Sequence, residues 1–227
     1  MVKKWVIVIF TACAMLTQAD SVFSGLPEKV DLHYDKKRLE QGGLQTYTQR
    51  YKLDKGGEGK RVIGIILIDA PPETVWRVLE DWEGIGNVIP SLEYYRTRHI
   101  ASPAGDSGKG MSYIEGKLKV GFLSILYTVC VTFDKTGLRQ DWKLVDETEA
   151  DALRQRGICL EPPAPLLKDI RGFEYIEPYG DGSRTIYYYA PVIEVSVPIP
   201  AWIERRLSES CLDEYMEGVK KKAEGNN

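Results

Sequence analysis

Few side chains in this sequence could do chemistry, and their spacing limits which kinds. There are two histidines, His33 near the N-terminus and His99 beside Arg96 and Arg98. Neither has a cysteine or carboxylate at metal-ligand spacing, so a zinc or other transition-metal site is not expected. The chain holds no G-x-S-x-G turn, no glycine loop built to cradle a phosphate, and no Cys-His pair close in sequence. "GGEG" at 56–59 reads as a hairpin turn. A general acid needs a carboxylate held from water with a raised pKa. Glu115, in "SYIEGKL", and Asp141, beside Trp142, are the candidates, and each also fits an exposed position on an alternating strand. Cys130, Cys159 and Cys211 are too few and too far apart for a disulfide scaffold. One bridge among them stays open, and the apolar patterns around Cys130 and Cys211 fit buried thiols.

The elements that must position these groups follow from periodicity. "LQTYTQRYKLD", the turn "KGGEGK" and "RVIGIILID" form a hairpin whose second strand is apolar on both faces. Pro71 and Pro72 stop that strand, but proline suits the first turn of a helix, and Glu73 favours the helix N-terminus. Val75, Val78, Leu79 and Trp82 then repeat on one helical face, ended by Gly84 and Gly86, with one more short helical turn or loop before the next strand. In "GFLSILYTVCVTFDK", Ile125, Tyr127, Val129, Val131 and Phe133 share one face; Leu126, Thr128, Cys130 and Thr132 share the other. "GDGS" at 180–183 joins two further strands as a hairpin. At the end, Ile203, Leu207, Cys211, Tyr215 and Val219 recur every four residues on a long amphipathic helix with proline at its start. The expected class is α+β: an antiparallel sheet, two small helices after its first main strand, and one long C-terminal helix.

Length and composition agree. The chain has 227 residues, 43% hydrophobic and 28% charged, a soluble range that suits one ordinary domain. The first nineteen residues differ in kind. Lys3 and Lys4 precede "WVIVIFTACAML", and "TQA" sets Thr17 and Ala19 at small-x-small spacing. This predicts a signal peptide cleaved between Ala19 and Asp20, too short for an ordinary membrane span. "FTAC" at 10–13 leaves open a lipoprotein acylated at Cys13, and an uncleaved anchor is a further alternative. The expected location is the periplasm or the exterior. Losing Lys3 and Lys4 takes the net charge from −3 to −5, which argues against a nucleic-acid partner. The basic run "VKKKAEG" suits the C-terminal end of a helix.

The segment "IDAPPETVWRVLEDWEGIGNVIPSLEYYR", the hairpin "RGFEYIEPYGDGSRTIYYYAPV" and the start of the last helix, "PIPAWIERRL", resemble the START-like (SRPBCC) superfamily, in its coenzyme-Q-binding and polyketide-cyclase branch. The resemblance covers about 44–223, leaving 1–19 as signal peptide and 20–43 as a lead-in. It implies a helix-grip fold, a curved antiparallel sheet wrapped around the long C-terminal helix. It implies a cavity between them for a lipid, quinone, sterol or other apolar ligand, and it brings no shared catalytic residue and no cofactor. The two short helices would border the cavity mouth and the last helix would form its lid. Expected lining residues are Trp82, Tyr113, Tyr127, Val129, Trp142, Phe173, Tyr187, Tyr189, Ile203, Leu207 and Cys211. Aromatics also fill ordinary cores, and a one-residue error in strand phase moves a whole set to the other face. The reading that results is a monomeric binder or carrier of an apolar small molecule, compatible with transient membrane contact. A cyclase- or hydrolase-type enzyme using a cavity carboxylate or tyrosine is the alternative, and an envelope interaction protein with a collapsed cavity is the third. The lead-in and 146–167 depart from a compact member, and their roles are open.

Overall fold

The computed structural model describes residues 34–52, 58–102, 108–121, 123–161, 163–196, 198–199, 203 and 211–225. The expected signal segment with Cys13, Ala19 and Asp20, and the residues His33, Trp202 and Leu207, lie outside the described residues.

The hairpin of β1 (Gln45–Lys52) and β2 (Glu58–Ile68) pairs antiparallel, Gln45 facing Ile65 and Lys52 facing Glu58. Six more strands follow: β3 (Leu92–Ser102), β4 (Lys109–Val120), β5 (Leu123–Asp134), β6 (Arg139–Leu144), β7 (Leu167–Tyr179) and β8 (Arg184–Val195). They form one eight-stranded antiparallel sheet in the order β1-β2-β8-β7-β6-β5-β4-β3. Every neighbouring pair from β3 to β8 is joined in chain order, and β2 closes back onto β8.

The Pro71–Pro72 stop works as expected. Pro71 is the extended N-cap of α2 (Pro72–Glu80), after the short α1 (Lys36–Glu40) of the lead-in. Val75, Trp76, Val78 and Leu79 are buried. The apolar stripe does not run on to Trp82 in the same helix. Asp81 ends α2 and accepts a hydrogen bond from Gly84 N (3.0 Å), starting α3 (Trp82–Gly86). Asp81 also pairs with Lys222 at 2.6 Å, tying this corner to α5 (Cys211–Ala223), the described part of the C-terminal helix. No described helix is long and apolar enough to cross a membrane.

One face of the sheet, here the inner face, carries Ile66, Ile68, Ile176 and Tyr187, packed against α2 and against Leu212, Met216 and Val219 of α5. Gly64 lets the helix come this close. A Cβ there would sit 2.2 Å from Met216 Sδ and 3.0 Å from Leu212 Cδ2.

The outer face is covered as well, by the two stretches whose roles were open. Leu39 of the lead-in packs with Ile63, Ile65, Phe173, Tyr175 and Tyr188. Beyond β6, α4 (Glu147–Gln155) is capped by Asp146, which accepts from Glu149 N at 2.8 Å. Its Ala150 and Leu153 pack with Tyr113, Cys130, Val145 and Leu160. None of Cys130, Cys159 and Cys211 is in a disulfide, and burial pushes the Cys130 thiol up to about 12.

Candidate functional site

Strand alternation and the α3 corner leave a cavity of about 90 Å³ between the inner face and α5. Ile125, Tyr127, Val129 and Val131 reach it from β5, because successive residues on a strand point to opposite faces. Gln140 and Trp142 reach it from β6, Ile170 and Glu174 from β7, and Tyr189, Pro191 and Ile193 from β8. Trp82, Ile89, Ser91, Leu92 and Tyr95 border it on the α3 side, and Cys211 and Tyr215 on the helix side. Trp142 stacks on Tyr189 (5.5 Å between ring centroids), and Tyr189 stacks on Tyr215 (4.5 Å), so an aromatic row runs from sheet to helix.

Trp142 can lie flat because Gly172 is beneath it. A Cβ on Gly172 would meet Trp142 Cζ2 at 2.5 Å and the Ala190 carbonyl oxygen at 2.6 Å, and the second of these is backbone that cannot swing aside.

Besides the tyrosine hydroxyls, three polar side chains break the apolar wall: Gln140, Ser91 and Glu174. Gln140 is buried and fully engaged: Trp82 Nε1 donates to its Oε1 (3.3 Å), and its Nε2 donates to the Leu79 carbonyl (3.1 Å). The Ser91 hydroxyl is buried without a hydrogen-bond partner among the described residues. Glu174, 2% exposed, accepts a hydrogen bond from the Tyr187 hydroxyl and has no ion pair among the described residues. Burial disfavours its charge and lifts its pKa to about 8; Tyr187 opposes this and Asp141 adds to it. At neutral pH the group is therefore mostly a carboxylic acid, with a proton to donate. Burial also raises Tyr95, Tyr189 and Tyr215 well above the ordinary phenol value, so these remain neutral donors.

Of the expected lining residues, Trp82, Tyr127, Val129, Trp142, Tyr189 and Cys211 border the cavity. Tyr113 and Phe173 do not. Each alternates with an inward neighbour, Ile114 and Glu174, and lies under the outer covers instead. Tyr187 is on the inner face but fully buried in the core beside α2 and α5, reaching the site only through its bond to Glu174. Ile203 is buried in the surrounding apolar cluster and is not part of the wall. Both expected acids are also displaced to the outer face. Glu115 pairs with Arg96 at 2.6 Å and Arg98 at 3.5 Å, and Asp141 pairs with Arg139 at 2.6 Å. The cavity acid is Glu174, whose place in "RGFEYIEPY" was visible but whose phase was not. Among the described residues no group of histidines, cysteines and carboxylates could hold a metal ion.

No family model and no curated protein matches the sequence. Solved structures do. A STAR-related lipid transfer protein fragment from Xanthomonas axonopodis superposes with a TM-score of 0.56 at 15% identity, over 85% of this chain and 97% of that one. A START superfamily protein from Mycobacterium smegmatis gives 0.54 at 15% identity, over 74% and 100%. The Zhui aromatase/cyclase from Streptomyces sp. R1128 gives 0.53 at 14% identity, over 80% and 94%. At these identities the likeness is one of fold, and the chain has the helix-grip α+β fold of the START-like superfamily.

Proposed function

We propose that the protein binds an apolar small molecule, of the lipid, quinone or sterol kind, between its sheet and its C-terminal helix. The observation that carries this is the wall itself: aliphatic and aromatic side chains interrupted by the Ser91 hydroxyl and the Glu174 acid, which lack full partners and would orient a ligand's hydroxyl or carbonyl. That is how small-molecule sites are commonly built. A lipid transfer protein and an aromatase/cyclase among the structures that share the fold are consistent with this use.

A ligand burying roughly 400 Å² of apolar surface gains about 10 kcal/mol at ~25 cal/mol/Å². Immobilisation removes several of those kcal/mol and leaves micromolar affinity within reach. The 90 Å³ of free space is below the ~300 Å³ typical of ligand pockets, so binding a ligand of that size must be coupled to opening of the wall. An envelope interaction role is less favoured, because among the described residues only Val88 and Ile100 are large apolar side chains left exposed.

Val129 tests the proposal. It is 1% exposed, lines the cavity and faces away from both outer covers. Val129→Phe should cost ~1–3 kcal/mol of stability by overpacking, while filling the space a ligand needs. Titration with the neutral fluorophore N-phenyl-1-naphthylamine should show saturable one-to-one binding to the wild type and at least about tenfold weaker binding to Val129→Phe. Saturable binding that the substitution leaves unchanged would place the ligand elsewhere.

Glu174 favours a second reading. A buried carboxylic acid with a pKa near neutrality is what acid–base catalysis on a cavity-bound substrate requires. In that reading Glu174 donates its proton to a substrate carbonyl, and Glu174→Gln abolishes turnover while binding persists.

A further inference from the structure

The sheet opens at a seam between β2 and β8. β2 and β8 pair only from Gly64–Tyr189 to Ile68–Thr185. The remainder of β2, back to Glu58, stays paired with β1, and the remainder of β8, out to Val195, stays paired with β7. Continuing the β2–β8 register would set Val62 against Pro191, which has no N–H to give a ladder. The two hairpins diverge there and leave a cleft of about 760 Å³. Pro191 and Ile193 line both this cleft and the inner cavity, so one strand segment separates the two spaces.

The cleft is lined by an unusual cation. Arg61 is 5% exposed, yet no carboxylate lies within ion-pair distance of it among the described residues. Its Nε donates to Gln49 Oε1 (2.7 Å), and its guanidinium lies between the rings of Tyr51 (5.0 Å) and Phe173 (4.9 Å). The other charges nearby are matched. Arg139 is paired with Asp141, and Arg171 with Asp169 and Glu194. Glu194, the carboxylate of the cleft wall, is also held by Lys168 at 2.9 Å. Lys60, exposed on the same wall, has no ion pair among the described residues. Burial, and then the guanidiniums of Arg139 and Arg171, work against the charge on Arg61; the nearby Tyr51 favours it. A buried cation without a counter-ion is costly, and an anion beside it relieves that cost.

We infer that the ligand is an acidic amphiphile, its anionic carboxylate or phosphate head held in the β2–β8 cleft by Arg61, with Lys60 adding to the positive field from the other side of the strand, and its apolar tail passing Pro191 and Ile193 into the cavity. This rests on the proposed function and narrows it to a ligand class. The cleft gives the head group its own room, while entry of the tail past Pro191 and Ile193 still requires the cavity wall to open.

The test compares lauric acid, lauryl phosphate and lauryl alcohol, with inorganic phosphate as a tail-free control, by calorimetric titration at low and high salt. The wild type should bind the two acids at least about tenfold more tightly than the alcohol, with the preference shrinking as salt rises. Arg61→Gln should erase the preference and leave alcohol binding intact, and Arg61→Lys should keep most of it. Lys60→Gln, at an exposed position that does not endanger folding, should reduce the preference about two- to threefold. It carries the test if Arg61→Gln fails to fold. Val129→Phe should weaken all three tailed ligands. Equal binding of acids and alcohol by the wild type would overturn the inference while leaving an apolar binder. So would a preference that survives both Arg61→Gln and Lys60→Gln, or inorganic phosphate binding as tightly as laurate. Binding of no tailed ligand at all would remove the proposed function and the inference together.

Discussion

Glu174→Gln should make the protein more stable than the wild type at pH 8 and slightly less stable at pH 5. In the folded wild type the Glu174 pKa is raised to about 8 by burial, against an ordinary carboxylate value of 4.5. Between those values the folded state holds a proton that the unfolded state has released. Stability therefore falls as pH rises through this window, by about 1.4 kcal/mol for each pH unit. Below the window both states are protonated, and the contribution is constant. An amide does not titrate, so the difference between the two proteins isolates this one group, whatever the other carboxylates do. Gln can still accept the Tyr187 hydrogen bond, but its amide N–H groups enter an apolar space, which costs ~1–3 kcal/mol at low pH. Urea unfolding at pH 5, 6.5 and 8 gives the comparison. The expected result is two stability profiles that cross. Parallel profiles would show that Glu174 is ionised in the folded state and that the cavity is wetter than its wall suggests.

The second large effect separates the two sides of the C-terminal helix. Leu212 and Met216 face Gly64 and the α2 core, whereas Cys211 and Tyr215 face the cavity. Leu212 is 1% exposed, and Leu212→Ala should cost ~2–5 kcal/mol, from lost burial and the void left behind. Ligand affinity measured well below the midpoint of unfolding should be nearly unchanged. Tyr215→Leu keeps apolar bulk but removes the stack on Tyr189, worth ~0.5–1.5 kcal/mol. Its stability loss should be the smaller, and its affinity loss about tenfold. If Leu212→Ala impairs binding as much as Tyr215→Leu does, the helix is not divided in this way and its role as a lid is lost.

How much of this could be read from the residues depended on whether one face of an element met water. The order of elements was legible except for α4, which falls in the stretch left open, because turns, proline stops and the four-residue repeat of the last helix are local signals. The β5 faces were legible too. Thr128 and Thr132 mark one side of "ILYTVCVTF", and Ile125, Tyr127, Val129 and Val131 all reach the cavity from the other. In β7 the same reasoning had nothing to grip. Phe173 and Tyr175 are buried under the lead-in, while Glu174 and Ile176 are buried under the helices, so both faces look apolar and phase vanishes. Tyr113 was misplaced for the same reason, since α4 shields it on the outer face. The outer covers come from the two stretches that a compact helix-grip chain does not need, and their presence hid the cavity acid. Arg61 was equally silent: a lone arginine at the start of a strand reads as solvated until the strand beside it turns away.

The space between sheet and helix should take one apolar molecule. Native mass spectrometry of protein purified from its own host, in parallel with the Val129→Phe variant, addresses it most directly. The wild-type population should carry a single small molecule, extractable into organic solvent, and the added mass should be absent from the variant. Bare protein in both preparations, with no saturable uptake when acidic and neutral lipids are added back, would contradict it.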